Sequence, residues 1–159
     1  MVHAGGDGIG WRSGKGEAVQ RRSGYNPKRR LIAADAWPLE RRTAFAQQLA
    51  YGGNPEHKKR PNDYGLTPPM NPRPGKTLCD AFGPLPKRDA LLLLKNGAMK
   101  GMMSERLNGE MPQNIWAVSD QGLVYEAQVE NAAQCTYHGY PMPSDDDFRA
   151  VILGEWPLR

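Results

Sequence analysis

The distribution of proline constrains this chain more than any other feature. Eight of the fourteen prolines in its 159 residues lie between Pro55 and Pro86, and they include the adjacent pair Pro68-Pro69. Proline lacks a backbone N–H and clashes with the preceding helical turn, so no regular helix can cross this stretch. A long loop is therefore predicted over residues 55–86. Loops of this length in a small domain usually have a function or are flexible.

The remaining sequence predicts a flexible basic arm and one domain. Residues 1–30 are rich in glycine and cationic side chains and poor in aliphatic ones, so they cannot bury enough apolar surface to offset chain entropy. Residues 31–159, including the proline-rich loop, are expected to form a single domain, because 159 residues and 39% hydrophobic residues support one modest core.

Three helices are predicted from apolar spacing and terminal residues. The first covers residues 38–50, with proline at its first position and Gly52-Gly53 as its stop. The second begins at Pro86 or Lys87, ends at Asn96-Gly97, and carries four consecutive leucines that indicate deep burial. The third begins with Ser144 as its N-cap.

Strands are predicted between the second and third helices. Residues 114–118 and 123–129 read as a hairpin, because apolar and polar side chains alternate in the second segment. A further strand is predicted over residues 136–140. The fold class expected from these elements is α+β, a small antiparallel sheet with about three helices.

Charge is unevenly distributed along the chain. Residues 1–60 carry 12 basic and 5 acidic side chains, whereas residues 111–159 carry 2 and 7. A basic front half predicts contact with RNA or another polyanion on one side of the protein. The alternative is a solvated basic tail on a neutral domain. A protein partner, either an inhibitor or an assembly subunit, stays open.

Other sequence features bear on location and cofactors. No apolar run approaches the roughly 18 residues of a membrane span, and the two cysteines are too few for a disulfide framework, so we expect a cytoplasmic protein without membrane contact. Gly75-Lys76-Thr77 ends like a phosphate-binding loop, but Met70 stands where its first glycine is required. No zinc or nucleotide motif is present, and we expect no cofactor and no metal.

Three groups of residues remain as site candidates. The first is the run His57, Lys58, Lys59 and Arg60, which can bind a phosphate and includes a group that titrates near neutrality. The second is Tyr137, His138 and Tyr140, an aromatic and imidazole surface at a strand end. The third is Glu126, in the middle of the clearest strand, where a solvent-facing charge is the simpler interpretation.

These residues favour metal-independent cleavage of RNA. One imidazole, of His57 or His138, would take the proton of a ribose 2′-hydroxyl and the other would protonate the leaving 5′-oxygen. Lys58 or Arg60 would stabilise the phosphorane, with Tyr137 and Glu126 as further catalytic candidates. The predicted substrate-binding residues are Lys59, Arg60, Arg73, Lys76 and Tyr140.

The order of elements over residues 87–141 resembles the small ribonuclease toxins related to barnase, EndoU and the bacteriocin tRNases. The shared outline is a leucine-rich helix, the hairpin from Ile115 to Val129, and the segment Tyr137-His138-Gly139-Tyr140. That resemblance implies a sheet face carrying His138 and Tyr137 as active residues. The acidic rear half and the position of His57 outside the matched region depart from it.

Two other functions remain open at the level of sequence. In the first, the basic arm and proline-rich loop bind a nucleic acid or a protein groove without catalysis. In the second, an ADP-ribosyltransferase-like enzyme uses His57, a tyrosine and Glu126 to hold a nucleotide. Binding that survives loss of both histidines would indicate the first.

Overall fold

The computed structural model describes residues 29–52 and 85–159. The predicted arm up to residue 28 and most of the proline-rich loop, residues 53–84, lie outside this range. The described residues form three α-helices and a small, mostly antiparallel sheet, which confirms the α+β class.

A four-stranded sheet organises the molecule. Its strands are β1 (Ala50–Tyr51), β4 (Asn114–Val118), β5 (Val124–Asn131) and β6 (Thr136–Pro141), in the spatial order β1-β6-β5-β4. β1 is parallel to β6, and the other pairs are antiparallel. A separate two-stranded hairpin, β2 (Leu107–Asn108) and β3 (Met111–Pro112), precedes β4.

The predicted hairpin and third strand are confirmed. Gly122, at φ +78°, lies in the turn between β4 and β5, a left-handed conformation that glycine adopts without strain. The two-residue strand β1 was not predicted. It replaces the end of the first predicted helix.

The helices differ from prediction mainly at their ends. α1 (Leu39–Gln48) follows Pro38 as N-cap and stops before Gly52-Gly53, because the next residues pair with β6 through bonds such as Gly52 N–H to the Tyr137 carbonyl, 2.9 Å. α3 (Asp147–Glu155) is capped by Asp146, whose side chain accepts from the Phe148 N–H, and not by Ser144. A short 3₁₀ turn, Trp156–Leu158, follows α3.

α2 (Lys87–Met99) runs through the predicted stop at Asn96-Gly97. A Cβ on Gly97 would lie 2.3 Å from the Trp116 carbonyl oxygen, so this glycine allows the helix to approach β4 closely. The four leucines are not all buried: Leu94 is 3% exposed, whereas Leu92 is 57% exposed. Consecutive helical residues point in different directions, so only one face of the leucine run reaches the core.

Both faces of the sheet are covered. On one face, side chains from β4, β5 and β6 pack against α1 and α2 around Phe45, Leu49, Leu94, Ile115 and Tyr137. On the other, α3 packs against β4 and β5 in a second cluster of Met102, Trp116, Val124, Met142, Phe148 and Ile152. None of the helices in the described part of the chain combines the length and apolarity that a membrane span requires.

We predict that Gly97→Ala destabilises the protein although alanine is the better helix former. The added methyl group would overlap a backbone carbonyl, and such overpacking costs about 1–3 kcal/mol. Urea unfolding would measure the change in the free energy of unfolding. Gly154→Ala in α3 is the matched control, since its Cβ would meet nothing within 4 Å and should stabilise by up to about 1 kcal/mol. Equal stabilisation by both substitutions would contradict the close helix–strand contact.

Candidate functional site

The face of the sheet that α3 partly covers carries a group of polar side chains. In the register of β5 and β6, Glu126 lies opposite Tyr140 and Gln128 lies opposite His138. Residues directly opposite each other in an antiparallel pair project from the same face. β4 adds Trp116 opposite Glu126 and Asn114 opposite Gln128. We call these six residues the polar face.

Glu126 lies at the centre of the polar face and is 1% exposed. Its carboxylate accepts hydrogen bonds from donors on three strands and from an arginine outside the sheet. The distances are 2.7 Å from Tyr140 OH, 2.9 Å from Trp116 Nε1, 3.0 Å from Asn114 Nδ2, 3.1 Å from Arg29 Nε and 3.5 Å from Gln128 Nε2. A carboxylate offers about four lone-pair positions, so these donors occupy it fully.

The interpretation of Glu126 as a solvent-facing charge is therefore wrong. Alternation along β5 places it opposite the main core, as expected, but that second face is covered as well. α3 packs on the same side of the sheet, and Arg29 bonds to the carboxylate directly. Burial of a charge is tolerated here because the carboxylate is both paired and hydrogen-bonded.

Arg29 links the polar face to α3. Its Nη1 lies 2.6 Å from Asp146 Oδ2, while Asp146 Oδ1 accepts the N-terminal Phe148 N–H of the helix at 3.0 Å. Burial acts to lower the pKa of Arg29, but the charges of Glu126 and Asp146 outweigh it and raise the pKa above its ordinary value. Arg29 is thus a permanent cation between two carboxylates.

Tyr140 is held as a neutral phenol. Burial raises its pKa, and the adjacent charge of Glu126 and the hydrogen bond to it raise the pKa further. The phenol donates to Glu126 at 2.7 Å and accepts from Gln128 Nε2 at 3.1 Å. Its hydroxyl is a donor fixed in direction, not a base.

The structure brings together some of the predicted site residues and separates others. Glu126, His138 and Tyr140 share the polar face, and His138 is half-buried there. Tyr137 is on the opposite face, fully buried, with its hydroxyl donating to the Pro112 carbonyl at 2.7 Å. The remaining predicted residues, His57, Lys58, Lys59, Arg60, Arg73 and Lys76, lie outside the described residues.

Sequence reasoning missed two partners of the site, Arg29 and Asp146. Arg29 was assigned to the basic arm, and no local pattern distinguishes it from the neighbouring Arg30. Asp146 sits among three consecutive aspartates, only one of which caps the helix. By contrast, Gln128 could have been found, because the hairpin register places it two residues from Glu126 on the same face.

Neither a group of metal ligands nor a known relative was found. Within residues 29–52 and 85–159, no three histidine, cysteine, aspartate or glutamate side chains are grouped closely enough to hold a metal ion. Comparison with family models, characterised proteins and solved structures found no match to the chain.

We predict that Glu126→Gln lowers the free energy of unfolding by about 3 kcal/mol. The new amide would direct its N–H groups at the hydrogen-bond donors that surround position 126, and Arg29 would lose one of its two carboxylate partners. Chemical denaturation would measure the change. Glu130→Gln, an exposed carboxylate on the same strand, should change stability by less than about 0.5 kcal/mol. A similar small effect at both positions would show that the network contributes little to stability.

We also predict that stability falls as the pH rises above about 10. An unfolded tyrosine ionises near its ordinary value of 10.0, whereas Tyr140 keeps its proton to higher pH in the folded protein. Deprotonation therefore stabilises the unfolded state at a lower pH than it stabilises the folded state, and the contribution of Tyr140 to folding stability is lost as the pH increases. Unfolding free energies measured from pH 8 to 11 should show this slope, and Tyr140→Phe should reduce it. An unchanged slope in Tyr140→Phe would assign the effect to other tyrosines.

Proposed function

We propose that the protein is a metal-independent ribonuclease of the toxin type, acting in the cytoplasm, with the polar face as its catalytic surface. The observation that supports this most is that a half-buried imidazole, His138, lies directly opposite Gln128 on the sheet face that carries the buried Glu126 carboxylate and its phenol and guanidinium partners. Imidazole is the side chain suited to proton transfer near neutral pH.

In this proposal His138 transfers one of the two protons that move during cleavage. The ribose 2′-hydroxyl loses a proton as its oxygen attacks phosphorus, and the leaving 5′-oxygen gains one as its bond to phosphorus breaks. His138 serves one of these steps, and His57 remains the sequence-based prediction for the other. The products are a 2′,3′-cyclic phosphate and a free 5′-hydroxyl.

Glu126 has a different role from the one expected from the sequence. Its oxygens are filled by donors and it is almost completely buried, so it does not offer a free lone pair to a ribose hydroxyl. We assign it as a positioning residue that holds Tyr140 and Arg29. Within the described residues, Arg29 bonds to Glu126 through Nε and to Asp146 through Nη1, and its side chain is 20% exposed. A guanidinium has five N–H groups, so Arg29 keeps donors that can contact a phosphate oxygen.

Charge limits what the polar face can do alone. Arg29 is outnumbered by its two carboxylate partners, and the described residues together carry 11 basic and 12 acidic side chains. The excess positive charge belongs to residues 1–28, with 5 basic and 2 acidic side chains, and residues 53–84, with 5 and 3. Attraction of RNA in this proposal comes from those segments.

A second candidate is a binding module without catalysis. The full occupancy of Glu126 favours it, because a saturated carboxylate stabilises a surface whether or not chemistry occurs there. The binding module would take a nucleic acid or a protein as its partner, so RNA is a partner that both candidates allow. They differ in whether removal of the imidazole abolishes a reaction.

The test is incubation of the purified full-length chain with total RNA and with labelled tRNA in EDTA. We expect cleavage by the wild type and a loss of at least about a hundredfold in rate for His138→Ala, since general acid–base catalysis contributes about 10²–10⁴-fold. End-group analysis should find cyclic phosphate on the 5′ fragment. His57→Ala tests the second imidazole in the same way.

His3→Ala is the matched control, because His3 is the one remaining histidine and has no assigned role. Full cleavage by His138→Ala would remove His138 from the mechanism. Intact RNA with the wild type, combined with salt-sensitive binding that survives His138→Ala, would identify the binding module.

A further inference from the structure

On the polar face, hydrogen bonds determine how the side-chain amide of Gln128 is oriented. The Gln128 side chain lies beside two hydrogen-bond acceptors: the Glu126 carboxylate, 3.5 Å from Nε2, and the Tyr140 hydroxyl oxygen, 3.1 Å from Nε2. Tyr140 donates its own proton to Glu126, which leaves only lone pairs for Gln128. A flipped amide would place oxygen against both acceptors and lose both bonds.

The network therefore fixes which end of the amide is presented to a ligand. With Nε2 directed at Glu126 and Tyr140, Oε1 is the atom turned away from them. None of the hydrogen bonds that this side chain forms within residues 29–52 and 85–159 uses Oε1. Gln128 is half-buried and lies directly opposite His138 on the neighbouring strand. A fixed acceptor thus stands next to the proposed proton-transfer residue.

Electrostatics favour a donor group at this position. Among the described residues, Glu126, Asp146 and Arg29 form one ion-pair network at this face, and the net charge of that network is negative. An N–H donor is attracted there, whereas a carbonyl oxygen would face both the Gln128 oxygen and this charge. Half-buried acceptors discriminate well, because a ligand without the matching donor leaves them unsatisfied.

We propose that Gln128 Oε1 selects the nucleobase at the cleavage site by accepting a hydrogen bond from the exocyclic amino group at C6 of a purine or C4 of a pyrimidine. The bases that carry such a group where guanine and uracil carry a carbonyl oxygen are adenine and cytosine. The inference rests on the proposed ribonuclease function and specifies its substrate: RNA with adenine or cytosine beside the scissile phosphate.

Wild-type protein alone can test this without any substitution. Short RNAs that differ only in the base at the cleavage site would be compared in two assays. Binding would be measured with the attacking 2′-hydroxyl replaced by hydrogen, so that none is cleaved, and cleavage would be measured with the hydroxyl present. We expect adenosine to be favoured about tenfold over purine riboside, which lacks the amino group, and cytidine to be favoured similarly over uridine. The two comparisons distinguish adenine from cytosine as the preferred base.

Substitutions at Gln128 then assign the effect to this residue. Gln128→Met removes the acceptor and should abolish the preference. Gln128→Lys keeps a donor toward Glu126 and Tyr140 but presents no acceptor, and it should lose the preference or shift it toward guanine and uracil. Gln121→Lys, in the exposed turn of the β4–β5 hairpin, adds the same charge and should leave the preference unchanged.

The outcomes separate this inference from the ribonuclease proposal. The role of Gln128 would be overturned, even if RNA is cleaved, by either of two results. The first is equal binding of adenosine and purine riboside together with equal binding of cytidine and uridine, and the second is an unchanged preference in Gln128→Lys. Base-selective binding that depends on Gln128, without cleavage of any RNA, would overturn the ribonuclease proposal and retain the base-reading contact.

Discussion

The buried carboxylate of Glu126 is the constraint on which the rest of the polar face depends. Moving an ionised group out of water costs several kcal/mol unless its charge is paired and its lone pairs are filled. Here donors from β4, β5 and β6 and the guanidinium of Arg29 converge on the two oxygens. The network specifies the register of three strands, since a shift by one residue would turn the donors of a strand to the other face.

Arg29 connects the Glu126 carboxylate to α3, outside the sheet. The guanidinium bridges Glu126 to Asp146, and Asp146 caps α3, so the start of that helix is linked to the centre of the sheet. α3 then contributes Phe148 and Ile152 to the second apolar cluster. Polar and apolar contacts on this face are consequently coupled, and we expect losses at Glu126, Arg29 and Asp146 to be non-additive.

The proposed function uses side chains that lie on the same face as this network. Glu126 and the Tyr140 hydroxyl bond to one another and to their neighbours. His138 and Gln128 lie opposite each other on the same face, and Arg29 bonds to Glu126 from outside the sheet. In the proposed reaction these groups would supply a proton-transfer residue, a phosphate contact and an acceptor that selects the base. The face supplies little net positive charge, which makes the basic segments outside the described residues part of the proposal.

The sequence alone predicted the α+β class, the hairpin of β4 and β5, strand β6 and the existence of three helices, because alternation and helical spacing are local properties of the chain. It also singled out Glu126, His138 and Tyr140. Tertiary structure decided three further points. It decided whether Glu126 contacts solvent or Arg29, on which face of the sheet Tyr137 lies, and whether Gly97 ends a helix or lets that helix approach Trp116. Each of these is a contact between residues distant in sequence. Local patterns carry no information about such contacts, because the energies that decide them arise only when the sheet and its helices are packed together.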